Sequence, residues 1–453
     1  MKGPKPVGLG ILAVAVALWC GLLAFLPSSL GPEGWYAFLG GDVIVHHGLP
    51  SHDTLTVWGS GRRWVDQQWL AQLILYGCYA LGGLRVALIA NAAVVVGSFA
   101  WAARLGSARG IVLWVAALGA IALGLSAAPL RPQTLALPLF VALVWLLIED
   151  ARAPSRRVFW TIPLLVVWAN VHGSVVLGVL LVLLAVVVDA WPRRRPTGRT
   201  ALLAVLGISS LFASPYAPHL AGYYRTVLFS REFMRYLSDW MPTALGPATA
   251  AFYLLALIAV FMTARAPHSL TSFEKAALVV LLVLAVVAAH GVVWFILFAI
   301  VVIPRTLPPR DVRVPAGAIV LPVIAFGALL VAVSRPSSWF ARDYPSSAAQ
   351  VVADNAGLVF ANGRFSDWLL LTQPSLRGRI AYDARYDILP HGRLADAAHV
   401  SFARYDAEEI LRPFSVVVLQ NDEKELRETL ERAGTWRRVP AGTKVVVLRR
   451  ATG

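Results

Sequence analysis

The feature that most constrains this chain is its recurrent apolar runs, almost free of ionisable side chains: Val7–Leu26, Leu84–Ala103, Val175–Val188, Leu278–Ala289 and Ala316–Val333. About 20 apolar residues span a bilayer as a helix, because a helix satisfies its own backbone where water cannot. Of the 453 residues, 58% are hydrophobic and 14% charged, against about 25% charged in soluble domains. The expected fold class is a polytopic α-helical membrane protein of about eleven transmembrane helices with a small C-terminal α/β domain. Spans are expected near 7–27, 84–104, 110–127, 132–149, 158–171, 173–191, 200–214, 246–264, 275–290, 291–304 and 314–334.

The net charge of +15 is not a nucleic-acid footprint. The basic residues cluster between apolar runs, as cytoplasmic loops do. Nearly all are Arg, with lysine only at 2, 5, 275, 424 and 444. With a cytoplasmic N-terminus, the inner loops collect Lys2 and Lys5, Arg104 and Arg109, Arg152 with Arg156 and Arg157, Arg193–Arg195 with Arg199, Arg265, and Arg305 with Arg310 and Arg313. The outer loops keep only scattered arginines. That orientation puts the protein in the cell membrane, multi-pass, with its C-terminal domain outside. Met1–Leu26 reads as the first span rather than a cleaved leader, since Pro27-Ser28-Ser29 follows it with no A-x-A site. Cys20 and Cys78 sit in or beside apolar segments and read as buried thiols.

The expected domains are 1–334, the membrane domain with long outer loops at 27–83 and 214–242, and 335–453, a soluble extracytoplasmic α/β domain. The apolar stretch Trp69–Leu81 reads as an interfacial or half-inserted helix, because a full span there would place Arg193–Arg195 outside. After Ser334 the chain holds 14 of its 25 acids. Helices are expected at Ala348–Asp354, Phe365–Leu371, Arg393–Leu411 and Glu423–Ala433, and strands at Arg379–Tyr382, Ser415–Gln420 and Lys444–Arg449, a partly parallel sandwich. No Gly-rich phosphate loop occurs in it.

Acidic residues are scarce before Ser334, and four of them, Glu33, Asp42, Asp53 and Asp66, lie in the first outer loop. Ionisable groups at a membrane are costly and mark functional sites. If Trp35–His47 is a helix along the membrane surface, Asp42 and His46 share a face at i, i+4. A carboxylate held there can take a proton from an acceptor hydroxyl; the plain alternative is an exposed polar helix face. The candidate catalytic residues are Asp42 and Asp53. Candidate substrate-binding residues are His46, Trp64, Asp66, Gln68, Arg131, Gln133, Asn170, His172, Tyr216, His219, Arg225, Arg231 and Asp239, all assigned to the outer face. Arginines there suit a phosphate through bidentate contacts, with lipid headgroups as the alternative partner. No histidine spacing matches a metal motif. A divalent cation, Mg or Mn, would be held by Asp42 and a substrate phosphate.

The segments GGD at Gly40–Asp42, VDQQWL at Val65–Leu70, RPQ at Arg131–Gln133, NVHG at Asn170–Gly173, SPY at Ser214–Tyr216 and SDWMP at Ser238–Pro242 carry a resemblance. With them go NGRFSDWLL at Asn362–Leu370 and YDARYD at Tyr382–Asp387. The chain resembles the GT-C superfamily of membrane glycosyltransferases, which includes the protein mannosyltransferase, aminoarabinose transferase and oligosaccharyltransferase groups. That resemblance implies inverting transfer of a sugar from a polyprenyl-phosphate donor to an envelope acceptor on the outer face. It also implies that the early outer-loop acid, Asp42, is the base or metal-linked activator. Many relatives carry two adjacent acids at that point, whereas here Asp42 stands between Gly41 and Val43. A lipid-linked glycan transporter and a non-catalytic envelope scaffold are the competing readings. Neither a mid-span charge nor a repeat favours the transporter.

Overall fold

The structure, a computed structural model, describes residues 30–106, 129–192, 197–307, 334–442 and 444–451, with positions 327 and 331. The expected spans at 7–27 and 110–127, and nearly all of 314–334, lie outside the described residues. The chain divides into two compact units. One comprises Met1–Ser29, Leu88–Pro218 and Ser238–Arg335; the other comprises Leu30–Ala87, His219–Leu237 and Pro336–Gly453. Segments 30–87 and 219–237 thus group with the C-terminal region.

The first unit is a helical bundle. Its described helices include Leu137–Arg152, Thr161–Val171, Val175–Ala190, Gly198–Ser210, Ala250–Arg265, Ser272–Val287 and Val292–Val302. The segments Trp69–Leu105 (which enters the unit at Leu88), Pro132–Arg152 and Ala289–Thr306 are long and apolar enough to cross a membrane. Val175–Ala190, Gly198–Ser210 and Ala250–Arg265 are shorter apolar helices. Every residue of Val292–Val302 is buried, as expected of a helix that is apolar all round. Trp294 on it meets Phe140 at 5.1 Å and Trp168 at 5.5 Å between ring centroids. Gly178 lets its helix approach so closely that an added Cβ would lie 2.8 Å from Leu165 and 2.9 Å from Trp168.

Charged groups of this unit sit at helix ends. Arg152, Glu274 and Arg305 form one cluster, with Glu274 fully buried. Its Oε1 accepts from Arg152 Nη2 at 3.0 Å and from Arg305 Nη1 at 3.2 Å. Arg305 Nη2 also donates to Leu105 O at 3.1 Å. Thr271 and Glu274 cap the Ser272–Val287 helix reciprocally. Removing one member strands buried charge, which costs about 3–5 kcal/mol. Glu274→Ala is therefore expected to lower the unfolding temperature of the detergent-solubilised protein; a melting curve identical to that of the parent would show that the cluster contributes nothing.

The second unit is built on a four-stranded sheet. Strands β1 (Val359–Ala361), β2 (Val416–Gln420), β3 (Trp436–Val439) and β4 (Val445–Arg450) lie in the order β1-β2-β4-β3. β1 and β2 are parallel, and the other pairs are antiparallel. The expected strand at Arg379–Tyr382 is reduced to one bridging residue, Ile380, paired to Val359 on one side and to Thr56 on the other. Thr56 belongs to the segment after the Pro32–His47 helix, and the pairing continues as Gly378 N→Leu55 O (2.8 Å), Val57 N→Ile380 O (2.8 Å) and Trp58 N→Ala381 O (2.9 Å). Outer-loop backbone thus extends the sheet edge. Trp58 then stacks on Tyr382 at 5.4 Å and packs edge-on against Phe360 and Phe414. The Gly363–Thr372 helix packs against Pro32–His47.

Candidate functional site

Asp42 lies on the Pro32–His47 helix, which opens on a proline in its first turn and ends at Gly48, whose φ of +79° favours glycine. Gly34 through Gly41 and Val43 are all buried. The helix is therefore enclosed along most of its length. Two glycines make that enclosure possible. A Cβ on Gly40 would strike Gln72 Oε1 at 2.0 Å, and one on Gly41 would meet Tyr76 Cβ at 2.3 Å and Gln72 O at 2.6 Å. Two helices thus pass at backbone distance just before Asp42. The partner helix, within Trp69–Leu105, breaks at Gly82–Gly83.

The Asp42 carboxylate remains partly exposed, at 17%. Tyr76 OH donates to its Oδ1 at 3.1 Å, and Arg377 Nη2 donates to its Oδ2 at 2.8 Å. His46 Nδ1 lies 3.2 Å from Oδ1 and 2.8 Å from the Asp42 carbonyl oxygen. The i, i+4 pairing expected from spacing is thus present. Tyr76 and Arg377 were not among the sequence candidates; nothing in the sequence joins positions 42 and 377.

Asp53, the second catalytic candidate, is placed differently. It is 1% exposed, accepts from Leu55 N and Thr56 Oγ1, and pairs with Arg385 Nη2 at 2.6 Å. Asp53 is thus enclosed as a counter-ion of Arg385. Arg385 also forks onto Asp383, with Nε 2.8 Å from Oδ2, and its guanidinium lies 4.0 Å above the Trp64 ring. Burial opposes its charge, but Asp383 and Asp53 outweigh that and raise its pKa. Trp64 is thereby part of this buried cluster.

Asp66 is also 1% exposed. Gln72 Nε2 donates to its Oδ1 at 2.8 Å and Tyr36 OH approaches at 3.5 Å, while Oδ2 is buried without a hydrogen-bond partner. Gln68 is half-buried at the start of the next helix. Burial, partly offset by Arg385 and Gln72, pushes the Asp66 pKa up from 3.8 to about 7.

His219 Nε2 accepts from Arg63 Nη1 at 2.6 Å, joining the two outer loops within this unit. Arg225 and Arg231 are exposed. The remaining candidates lie in the helical unit. Arg131 Nη1 pairs with Asp239 Oδ2 at 2.9 Å, and His290 Nδ1 lies 3.2 Å from the Asp239 carbonyl. Gln133 is buried in the one-turn segment after Arg131. Asn170 Nδ2 donates to Val166 O and Ala213 O, and His172 Nδ1 accepts from Ser174 N at 3.1 Å. These last bonds close helix ends. Tyr216 is buried beside Ser214. Among the described residues no group of three or more His, Cys, Asp or Glu side chains could hold a metal. Of the three aspartates in the first outer loop, only Asp42 is partly exposed, and it already bonds Arg377.

The architecture is that of a GT-C-like membrane fold. Its solved neighbours include the apo oligosaccharyltransferase of Archaeoglobus fulgidus (TM-score 0.55, 11% identity, 92% of this chain and 70% of that one). Apo ArnT from Cupriavidus metallidurans matches at TM-score 0.52 and 15% identity over 98% of both chains. A. fulgidus AglB, solved with an inhibitory peptide and a dolichol-phosphate, matches at 0.53 and 12% over 92% of this chain and 70% of that one. No family model matches the sequence, and neither does any curated protein.

The fold favours the protonated form of Asp66, since its pKa is higher folded than unfolded. Its contribution to stability is complete below pH 4 and is lost as pH rises through about 7. Asp66→Asn is expected to flatten the fall in unfolding temperature between about pH 4 and 7; an unaltered slope would place the titration elsewhere.

Proposed function

We propose that this protein is a membrane glycosyltransferase that moves a sugar from a polyprenyl-phosphate donor to an envelope lipid, glycan or protein on the outer face of the cell membrane. The observation that carries this reading is Asp42: a carboxylate fixed in orientation by Tyr76 and Arg377 yet partly open, at the end of a buried first-loop helix. The GT-C-like fold and the dolichol-phosphate bound by AglB support a lipid-linked donor.

In this mechanism Asp42 takes the proton of the acceptor hydroxyl. The hydroxyl oxygen attacks the anomeric carbon, and the bond from that carbon to the donor phosphate breaks. Polyprenyl phosphate leaves with the bonding pair, and the anomeric configuration inverts. The exposed Arg225 and Arg231 lie in the second outer loop as cations for a phosphate or headgroup. Among the described residues no three His, Cys, Asp or Glu side chains group to hold a metal, and Mg or Mn would be held by Asp42 with the donor phosphate.

Positioned general bases contribute about 10²–10⁴ in rate. Asp42→Asn should remove a factor of that order from the release of polyprenyl phosphate. The assay uses the full chain in lipid nanodiscs with a panel of undecaprenyl-phosphate hexoses and pentoses. Turnover equal to the parent on every donor the parent uses would take Asp42 out of the reaction. Transmembrane movement of donor without release of polyprenyl phosphate would favour the transporter.

A further inference from the structure

Arg377 comes from the C-terminal region, 335 residues away from Asp42 in sequence. It follows the Pro374–Leu376 turn, and its Nε reaches back to Leu370 O at 3.5 Å. The next residue, Gly378, has φ +76° and donates its N–H to Leu55 O of the first outer loop at 2.8 Å. Thr56 and Ile380 are bridged immediately beyond. Arg377 thus leaves a segment whose backbone is bonded to the same loop that carries Asp42. Its guanidinium is 23% exposed and the Asp42 carboxylate 17%.

An ion pair at this depth stabilises the fold only slightly, but it fixes direction. A carboxylate rotates about its last bond unless both oxygens are held. Here Tyr76 holds Oδ1 and Arg377 holds Oδ2, leaving the remaining lone pairs pointed where neither donor sits. From this geometry we infer that Arg377 is a positioning residue for transfer: the C-terminal domain orients the base Asp42 through it and is part of the catalytic apparatus. This rests on the function proposed above. Arg377 itself touches no reacting atom in this scheme; it acts on the acceptor through Asp42.

The test is steady-state release of polyprenyl phosphate by the full chain in nanodiscs, using the same panel of undecaprenyl-phosphate sugars. A misplacement of about 1 Å can cost about 10²-fold in rate. Arg377→Gln is expected to lower kcat by about that factor with the donor KM and the unfolding temperature unchanged. Arg377→Lys should recover part of the loss, because an ammonium can reach one carboxylate oxygen without the fixed fork. In an Asp42→Asn background Arg377→Gln should add no further loss, since both changes act through one group. Parent or increased turnover in Arg377→Gln would overturn the inference, the latter making the pair a restraint rather than a support. A loss that adds fully to that of Asp42→Asn, or that tracks a lowered unfolding temperature, would overturn it too. Full activity of Asp42→Asn alone would instead sink the parent reading, so the two failures are distinguishable.

Discussion

A single buried guanidinium organises the unit that carries the candidate site. Arg385 is 2% exposed, and an isolated charge at that depth is not tolerated. Asp383, two residues away, and Asp53, far away in the chain, pair with it through Nε and Nη2, while Nη1 is buried without a hydrogen-bond partner. Trp64 covers its face. The pairing fixes the first outer loop on the α/β domain, and the backbone pairing of Leu55–Trp58 with Gly378–Ala381 continues the attachment. Trp58 completes it by entering the aromatic core of Phe360, Tyr382 and Phe414. In the same unit Arg377 meets Asp42.

The helical half was legible because the bilayer imposes a simple rule on composition. Each expected span lying on described residues falls on a helix, and among the described residues Trp69–Leu105, Pro132–Arg152 and Ala289–Thr306 are the ones long and apolar enough to cross a membrane. The α/β half was legible in its regular parts. The SVVVLQ run became β2 and the amphipathic Glu423–Ala433 stretch became the Lys424–Arg432 helix. β1 has three residues and β3 four, with Arg437 and Arg438 exposed on β3, and neither gives a periodic signal. Arg379–Tyr382 has a strand-like sequence but bridges only at Ile380, to Val359 and to Thr56, because its second neighbour is a loop rather than a strand.

The site was legible in kind more than in arrangement. Asp42 stood out because acids are scarce before Ser334 and His46 follows it by four residues, and that i, i+4 relation is present. Asp53 and Asp66 had the same appearance in sequence, yet burial makes one a counter-ion and the other a carboxyl with a raised pKa. What separates the three is the surroundings, contributed by residues 36, 72, 377 and 385. Partners so far away in the chain leave no spacing to read. Arg131 with Asp239, and Arg63 with His219, are further cases of separately noticed residues whose pairing only the fold reveals.

The glycine pair before Asp42 shows how the fold serves the candidate base. Glycine inside a helix costs about 1 kcal/mol relative to alanine, and two in succession make the Pro32–His47 helix a poor one in isolation. The cost is offset by packing, since no side chain fits between Gly41 and Tyr76 or between Gly40 and Gln72. The same close approach brings the Tyr76 hydroxyl within reach of Asp42. A larger residue at either position would push the helices apart and carry Asp42 away from Tyr76 and Arg377 together. The GGD segment is thus a geometric unit: two residues without side chains allow the third to be held at both oxygens.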